Sequence, residues 1–162
     1  MKASRWTAFW VISSSFCAAM VLTVIPLPDT LRALRPEWVA LVLIYWCLAV
    51  PQRVGIGSAW VAGLLTDALT GTLLGQHALG FAVLAYVILK LHRRVRLFPL
   101  PQQIPVVLVL LTIYQLLNLW ILGISGAAPS HGLAWLQPVI GALLWPIVFL
   151  ALRAGRRRFK LR

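Results

Sequence analysis

Hydrophobic residues follow one another along this chain in six long runs, separated by short polar, proline-containing or glycine-containing stretches. A helix rises about 1.5 Å per residue, so about 20 apolar residues cross the hydrocarbon core of a bilayer, which is about 30 Å thick. The runs therefore predict an all-α polytopic membrane protein with six transmembrane helices in one bundle. The predicted segments are 6–25, 37–50, 54–74, 78–91, 104–124 and 134–152.

The second segment is shorter than a membrane span, because Pro36 and Pro51 bound it closely. About 14 residues make roughly 21 Å of helix, which is less than the hydrocarbon thickness. Two arrangements fit this length. Either residues 29–35 extend the segment as an interfacial turn, or neighbouring helices shield its ends.

A single carboxylate, Asp67, lies inside the third apolar segment. A lone acid in hydrocarbon costs roughly 2.5–3.5 kcal/mol on insertion scales, so this side chain should face protein. Small residues recur beside it every fourth position and allow another helix to approach closely. We therefore expect the third segment to be the hub of the bundle, packing or docking a partner through one stripe: Gly55, Ala59, Gly63, Asp67, Gly71 and Gly75.

Two interpretations of Asp67 follow from its surroundings. It is either a ligand, ion or proton site, or one end of an interhelical hydrogen bond that fixes the bundle. The second is favoured, because the chain offers no other intramembrane acid and no intramembrane Lys or Arg. Asn118 lies at a similar depth on the fifth segment, so the third and fifth segments are expected to touch. The candidate polar partners of Asp67 are Thr70, Thr112, Gln115 and Asn118.

Composition excludes several classes of function. Of the 162 residues, 61% are hydrophobic and 11% charged, and the mean hydropathy is +0.90. A water-soluble domain has no interior for so much apolar surface, and the six segments leave no length for an extramembrane enzyme. No nucleophile, base and oxyanion set can be assembled, and the histidines lack metal-site spacing. We therefore expect a single transmembrane domain, 1–162, that is not an enzyme and has neither metal nor cofactor.

Basic residues lie between the apolar runs and at the C-terminus, so the net charge of +12 reports membrane topology rather than nucleic-acid binding. With a cytoplasmic N-terminus, thirteen of the fifteen Lys and Arg residues lie on the cytoplasmic side. Both termini are therefore predicted to be cytoplasmic. The basic tail 153–162 sets this topology, and contact with anionic membrane lipid or with an acidic cytoplasmic partner remains a further interpretation of it.

Several short motifs resemble the MreD family of rod shape-determining proteins. Beside the stripe of the third segment, the motifs that carry the resemblance are Pro26-Leu27-Pro28-Asp29, Arg35-Pro36-Glu37-Trp38, Tyr45-Trp46, Pro51-Gln52-Arg53 and Gly141 with Leu144-Trp145-Pro146. The family is found in the inner membrane of Gram-negative bacteria. Its fold is similar to that of the substrate-binding component of energy-coupling-factor transporters, and the resemblance implies that fold here.

The resemblance implies a non-catalytic scaffold or regulator of the cell-wall elongation complex, one that maintains rod shape. The implied partners are MreC, most directly, and RodA, a penicillin-binding transpeptidase and MreB within the complex. Our leading hypothesis is that the bundle docks the single transmembrane helix of MreC. The alternative is small-molecule capture or transport, with Asp67 in the pocket. Self-association as a homodimer stays open.

Overall fold

The computed structural model describes residues 5–32, 34–126 and 132–159, and within these ranges the protein is all-α, as predicted. Residues 127–131 of the last loop and residues 160–162 of the predicted tail lie outside the described residues. Two short elements are the helical turn α2 (Asp29–Arg32) and a 3-10 turn (Gly132–Trp135). The six longer helices are α1 (Arg5–Val24), α3 (Trp38–Ala49), α4 (Ile56–Thr70), α5 (Gln76–Val95), α6 (Leu100–Ile124) and α7 (Leu136–Arg158).

The centre of the bundle is α3, the shortest of the six long helices. Every residue from Val39 to Leu48 is buried, and α1, α5 and α7 pack around it. With 12 residues, α3 is about 18 Å long and is too short to span hydrocarbon alone. Neighbouring helices therefore shield it, while α2 forms a separate turn before it.

The expectation that the third segment is the hub is wrong. Its helix, α4, packs mainly against α5 and more loosely against α1. The opposite face is open, with Trp60, Val61, Leu65 and Leu69 each about half exposed. Because these side chains are apolar, lipid can cover that face, whereas the short α3 needs protein on every side. The side of α4 that carries Asp67 does face protein, as expected.

The expected contact between the third and fifth segments is also wrong: α4 and α6 make few or no contacts with each other, whereas α5 packs against both. The link between α4 and α5 is short, so the two helices form a tight hairpin. This hairpin places the first residues of α5 beside the last turn of α4.

Four helix boundaries differ by four residues or more from the predicted segments: α4 ends at Thr70, α5 continues to Val95, α6 begins at Leu100 and α7 continues to Arg158. The third segment ends as a helix at Thr70 rather than at 74, because Gly71 adopts a left-handed conformation with φ of 67°. The last helix continues to Arg158, so most of the predicted tail from Arg153 belongs to α7.

Three of the described helices are long and apolar enough to cross a bilayer: Trp6–Val24 within α1, and the whole of α6 and α7. The chain is thus a multi-pass membrane protein. That the remaining three long helices also cross stays a prediction.

Candidate functional site

Asp67 lies in the last turn of α4, directly opposite the first turn of α5. The chain reverses between them over five residues, and two of these are glycines with positive φ, Gly71 at 67° and Gly75 at 102°. An L side chain rarely adopts these angles, so the glycines permit a turn this tight. The turn brings the N-terminal amides of α5 to the carboxylate.

Both oxygens of Asp67 accept hydrogen bonds from this turn. Oδ1 accepts from the backbone N–H and ring Nδ1 of His77, at 2.9 and 2.7 Å, and from the Thr72 hydroxyl at 2.9 Å. Oδ2 accepts from the backbone N–H of Gly75 at 2.9 Å and of Ala78 at 3.4 Å. We call these five residues the Asp67 cluster.

The electrostatics of the Asp67 cluster resemble those of a helix cap. The first amides of a helix lack intrahelical partners and carry partial positive charge, so a carboxylate placed there is stabilised. Here the acid comes from the preceding helix and ties the hairpin together across the turn. The three backbone N–H groups among these contacts can only donate, which suits an ionised carboxylate.

The Asp67 cluster leaves little capacity for a ligand. Asp67 is only 1% exposed, and both of its oxygens are occupied by protein donors. Within the described ranges no three His, Cys, Asp or Glu side chains are grouped to hold a metal ion. The geometry therefore supports the structural interpretation of Asp67 over a role in small-molecule capture.

None of the four candidate partners bonds directly to Asp67, so that prediction is wrong. Thr70 comes nearest: its hydroxyl lies 3.1 Å from that of Thr72, which bonds to the carboxylate. Thr112 donates to its own helix at Leu108 O, 2.8 Å away. The physical reason is that the first backbone N–H groups of α5 follow Asp67 closely in sequence. They already satisfy its carboxylate, so no residue of α6 reaches it.

Gln115 and Asn118, the two candidate partners on α6 with amide side chains, make their contacts elsewhere in the bundle. Gln115 donates to the carbonyl of Ala134 at 3.5 Å, in the segment leading to α7. Asn118 is buried beside Gly80 of α5, and its Oδ1 has no hydrogen-bond partner. These side chains link α6 to α5 and α7 rather than to α4.

Sequence reasoning missed His77, which connects the Asp67 cluster to the rest of the bundle. Its ring lies 6.0 Å from that of Phe81 and 6.3 Å from that of Tyr114 on α6. The Tyr114 hydroxyl in turn donates to Glu37, just before α3, at 3.5 Å. The signal available in sequence was a histidine placed directly after a glycine-bounded turn that follows the acid.

The stripe of small residues has two different roles. A Cβ at Gly63 would lie 2.3 Å from the backbone Cα of Ala78, so α5 approaches here as close packing predicts, and Ala59 is fully buried nearby. Gly55, Gly71 and Gly75 have nothing within 4 Å of such an atom, so they do not pack against a helix. Gly71 and Gly75 instead serve the turn.

Two of the three tryptophans of the motifs, Trp46 and Trp145, lie inside the bundle, fully buried, with their ring N–H groups satisfied. Trp46 Nε1 donates to the Ser15 hydroxyl of α1 at 2.7 Å, and Trp145 Nε1 donates to Gln103 Oε1 of α6 at 3.1 Å. Each ring therefore joins two helices as well as filling the core.

The other motif residues shape the ends of α3 and α7. Tyr45 packs its ring edge-on against Phe149 of α7, with centroids 5.5 Å apart. Arg35 donates to the carbonyls of Thr23 and Ile25, which closes the end of α1. Three motif residues occupy boundaries: Pro36 and Trp38 at the start of α3, and Pro51 just after it; Pro146 lies within α7.

Comparison with known proteins gives one consistent result. Residues 4–154 match the family model of the rod shape-determining protein MreD. The chain is 37% identical over 159 residues to the rod shape-determining protein MreD of Haemophilus influenzae, an alignment that covers 98% of each chain. No solved structure matches. The expected likeness to the substrate-binding component of energy-coupling-factor transporters is therefore unsupported.

Proposed function

Because the chain belongs to the MreD family of rod shape-determining proteins, we propose that it is a non-catalytic inner-membrane scaffold of the cell-wall elongation complex. Membership confirms the resemblance that the motifs suggested, and with it a role in rod shape without catalysis. The narrower proposal is that the bundle docks the transmembrane helix of MreC. Through MreC the subunit is linked to RodA, the transpeptidase and MreB.

The observation that carries this proposal is a long apolar groove between α1 and α4. Two cavities of about 840 and 480 Å³ follow these helices and share Cys17 and Met20 as lining residues. Together they extend along α1 from Phe9 to Ile25, roughly 24 Å at 1.5 Å per residue. We call this the α1–α4 groove, and its length approaches the thickness of the hydrocarbon core.

The lining of the α1–α4 groove suits a helix as the occupant. Small side chains let helix backbones approach closely in membranes. On α1, Ser13 and Cys17 are one turn apart, and on α4 Gly57, Ser58 and Ala62 face the same groove. A partner with one apolar span and small residues on one face would complete the packing that α1 and α4 leave unfinished.

Disulfide cross-linking in cells tests this docking. Cys17 is exposed in the groove and Cys47 is buried, so a Cys47→Ala background leaves one native probe. Cysteines placed one at a time along the MreC transmembrane helix should cross-link to Cys17 every three or four positions. The matched control carries Leu116→Cys on the exposed face of α6 in place of Cys17, and it should give no cross-link.

A steric variant checks the same surface independently. Neither Gly57, in the α1–α4 groove, nor Gly123, near the end of α6, has an atom within 4 Å of an added Cβ. Gly57→Trp should fill the groove and abolish co-purification of MreC, while Gly123→Trp should retain it. Equal MreC recovery from both variants, or Cys17–Cys17 dimers in place of MreC adducts, contradicts the proposed docking.

A further inference from the structure

A cavity of about 290 Å³ lies at the end of the bundle where α3 finishes. Its walls come from α3, α6 and α7 and from the turn between α5 and α6. Three arginines, Arg96, Arg153 and Arg156, are among its lining residues, and we call it the arginine cavity.

Two of these arginines are held in place by neighbouring groups. Arg156 Nη1 donates to the carbonyl of Ala49, the last residue of α3, at 3.4 Å. The Arg153 guanidinium lies 5.9 Å from the centroid of the Phe149 ring. Arg153 and Arg156 are three residues apart on α7 and so share a side of that helix.

In the part of the chain that the structure describes, no carboxylate lines the arginine cavity. Of the three acidic residues in the sequence, neither Glu37 nor Asp67 is among its lining residues. Glu37 precedes α3, so the length of that helix, about 18 Å, separates it from the cavity. Asp67 lies beside the start of α5, whereas Arg96 follows its end, and Asp29 lies in α2 before Glu37. Arg96 and Arg153 are exposed and Arg156 is half-buried, so an anion from outside the chain can reach all three guanidinium groups.

The chemistry of the wall indicates what kind of anion fits. Guanidinium groups bind phosphate oxygens through paired N–H donors, and basic pockets between transmembrane helices hold phospholipid headgroups. The Tyr45 hydroxyl is an additional donor along the wall. Leu48, Phe98 and Leu100 supply an apolar surface beside the charges, on which acyl chains can lie.

We propose that the arginine cavity binds the phosphate group of an anionic phospholipid. The acyl chains pack on the apolar wall, and the headgroup phosphate lies among the three guanidinium groups. In the orientation proposed for this family member, the lipid belongs to the cytoplasmic leaflet. Lipid binding does not require MreC, so failure of the MreC cross-linking experiment would not contradict this site, and loss of lipid binding would not contradict MreC docking.

Native mass spectrometry of the full-length protein tests the site. The protein is released from micelles containing either phosphatidylglycerol or phosphatidylcholine, and retained lipid is counted for two variants with equal charge loss. One removes the cavity arginines (Arg96→Gln, Arg153→Gln, Arg156→Gln), and the other removes exposed arginines outside the cavity (Arg93→Gln, Arg94→Gln, Arg157→Gln). The cavity variant should retain about tenfold less phosphatidylglycerol than the control, because charge-assisted hydrogen bonds are lost.

Three results would overturn the proposal. Equal loss of phosphatidylglycerol in both triple variants would mean that net charge alone attracts lipid. Equal retention of phosphatidylcholine would mean that the site does not select an anion. A thermal shift by inorganic phosphate as large as that by phosphatidylglycerol would assign the cavity to a soluble phosphate. If the triple cavity variant fails to elute as a folded protein, Arg96→Gln against Arg94→Gln makes the same comparison.

Discussion

At the scale of single residues, Asp67 shows how a membrane protein accommodates an acid in an apolar helix. The carboxylate sits where α4 ends, and the unpaired amides at the start of α5 supply its hydrogen bonds. This position needs no second charge of opposite sign, because the helix terminus already carries partial positive charge. An acid in a membrane helix can thus be a cap for the next helix.

Replacing Asp67 by Asn should destabilise the fold. The amide keeps one acceptor oxygen and turns the other position into a donor, which then faces the donors of the turn. A buried donor without a partner costs about 1–3 kcal/mol, and a comparable loss is expected here. The measurement is the unfolding temperature of the detergent-solubilised protein.

Thr112→Val is the matched control for this change, because the Thr112 hydroxyl bonds only to Leu108 of its own helix. It should leave the unfolding temperature almost unchanged. If Asp67→Asn and Thr112→Val lower the unfolding temperature by similar amounts, a polar link between α4 and α6 stabilises the protein. The hydrogen bonds of the Asp67 cluster do not include such a link.

Sequence reasoning succeeded for the burial of Asp67 and failed for its hydrogen-bond partners. Burial follows from transfer free energy, which is a property of the residue itself. The partners depend on where the chain turns, and the left-handed conformations of Gly71 and Gly75 decide this. A glycine in an apolar run is compatible with close packing and with a turn, and its spacing alone does not distinguish them.

At the scale of helices, the α4–α5 hairpin depends on close backbone approach at Gly63. Gly63→Ala should lower the free energy of unfolding by about 1–3 kcal/mol, since its Cβ would overlap the backbone of Ala78 and overpacking forces the helices apart. Thermal unfolding followed by size-exclusion chromatography measures the loss.

Gly57→Ala provides the control on the same helix, because an added Cβ there meets no atom within 4 Å. Alanine also favours helix over glycine by up to about 1 kcal/mol, so this variant should be neutral or slightly stabilised. Equal destabilisation of the two variants would mean that the close approach at Gly63 does not determine stability.

The helices themselves were largely predictable, because long apolar runs bounded by proline or glycine specify where a membrane helix starts and stops. Which helices pack against each other was not predictable. The hub was assigned to the third segment on account of its acid and small residues, but burial of α3 follows from its short length. Neighbour relations depend on how six helices pack together, which the pattern of any one helix does not determine.

At the scale of the whole molecule, the distribution of basic residues predicts both termini in the cytoplasm. Fusion of a phosphatase that is active only in the periplasm should therefore give activity after Ala128, between α6 and α7. Fusions after Phe98 and after Arg162 should be inactive. A fluorescent protein that folds only in the cytoplasm should give the reverse pattern at the same three positions. Phosphatase activity after Phe98 would contradict the six-span topology.

The short central helix has a consequence for the electrical profile of the protein. The two ends of α3 are only about 18 Å apart, and the arginine cavity lies beside its last turn. Where water enters this recess, the insulating layer along the axis is thinner than the surrounding bilayer. The membrane voltage then falls over a shorter path, and a headgroup phosphate bound in the recess experiences part of that drop.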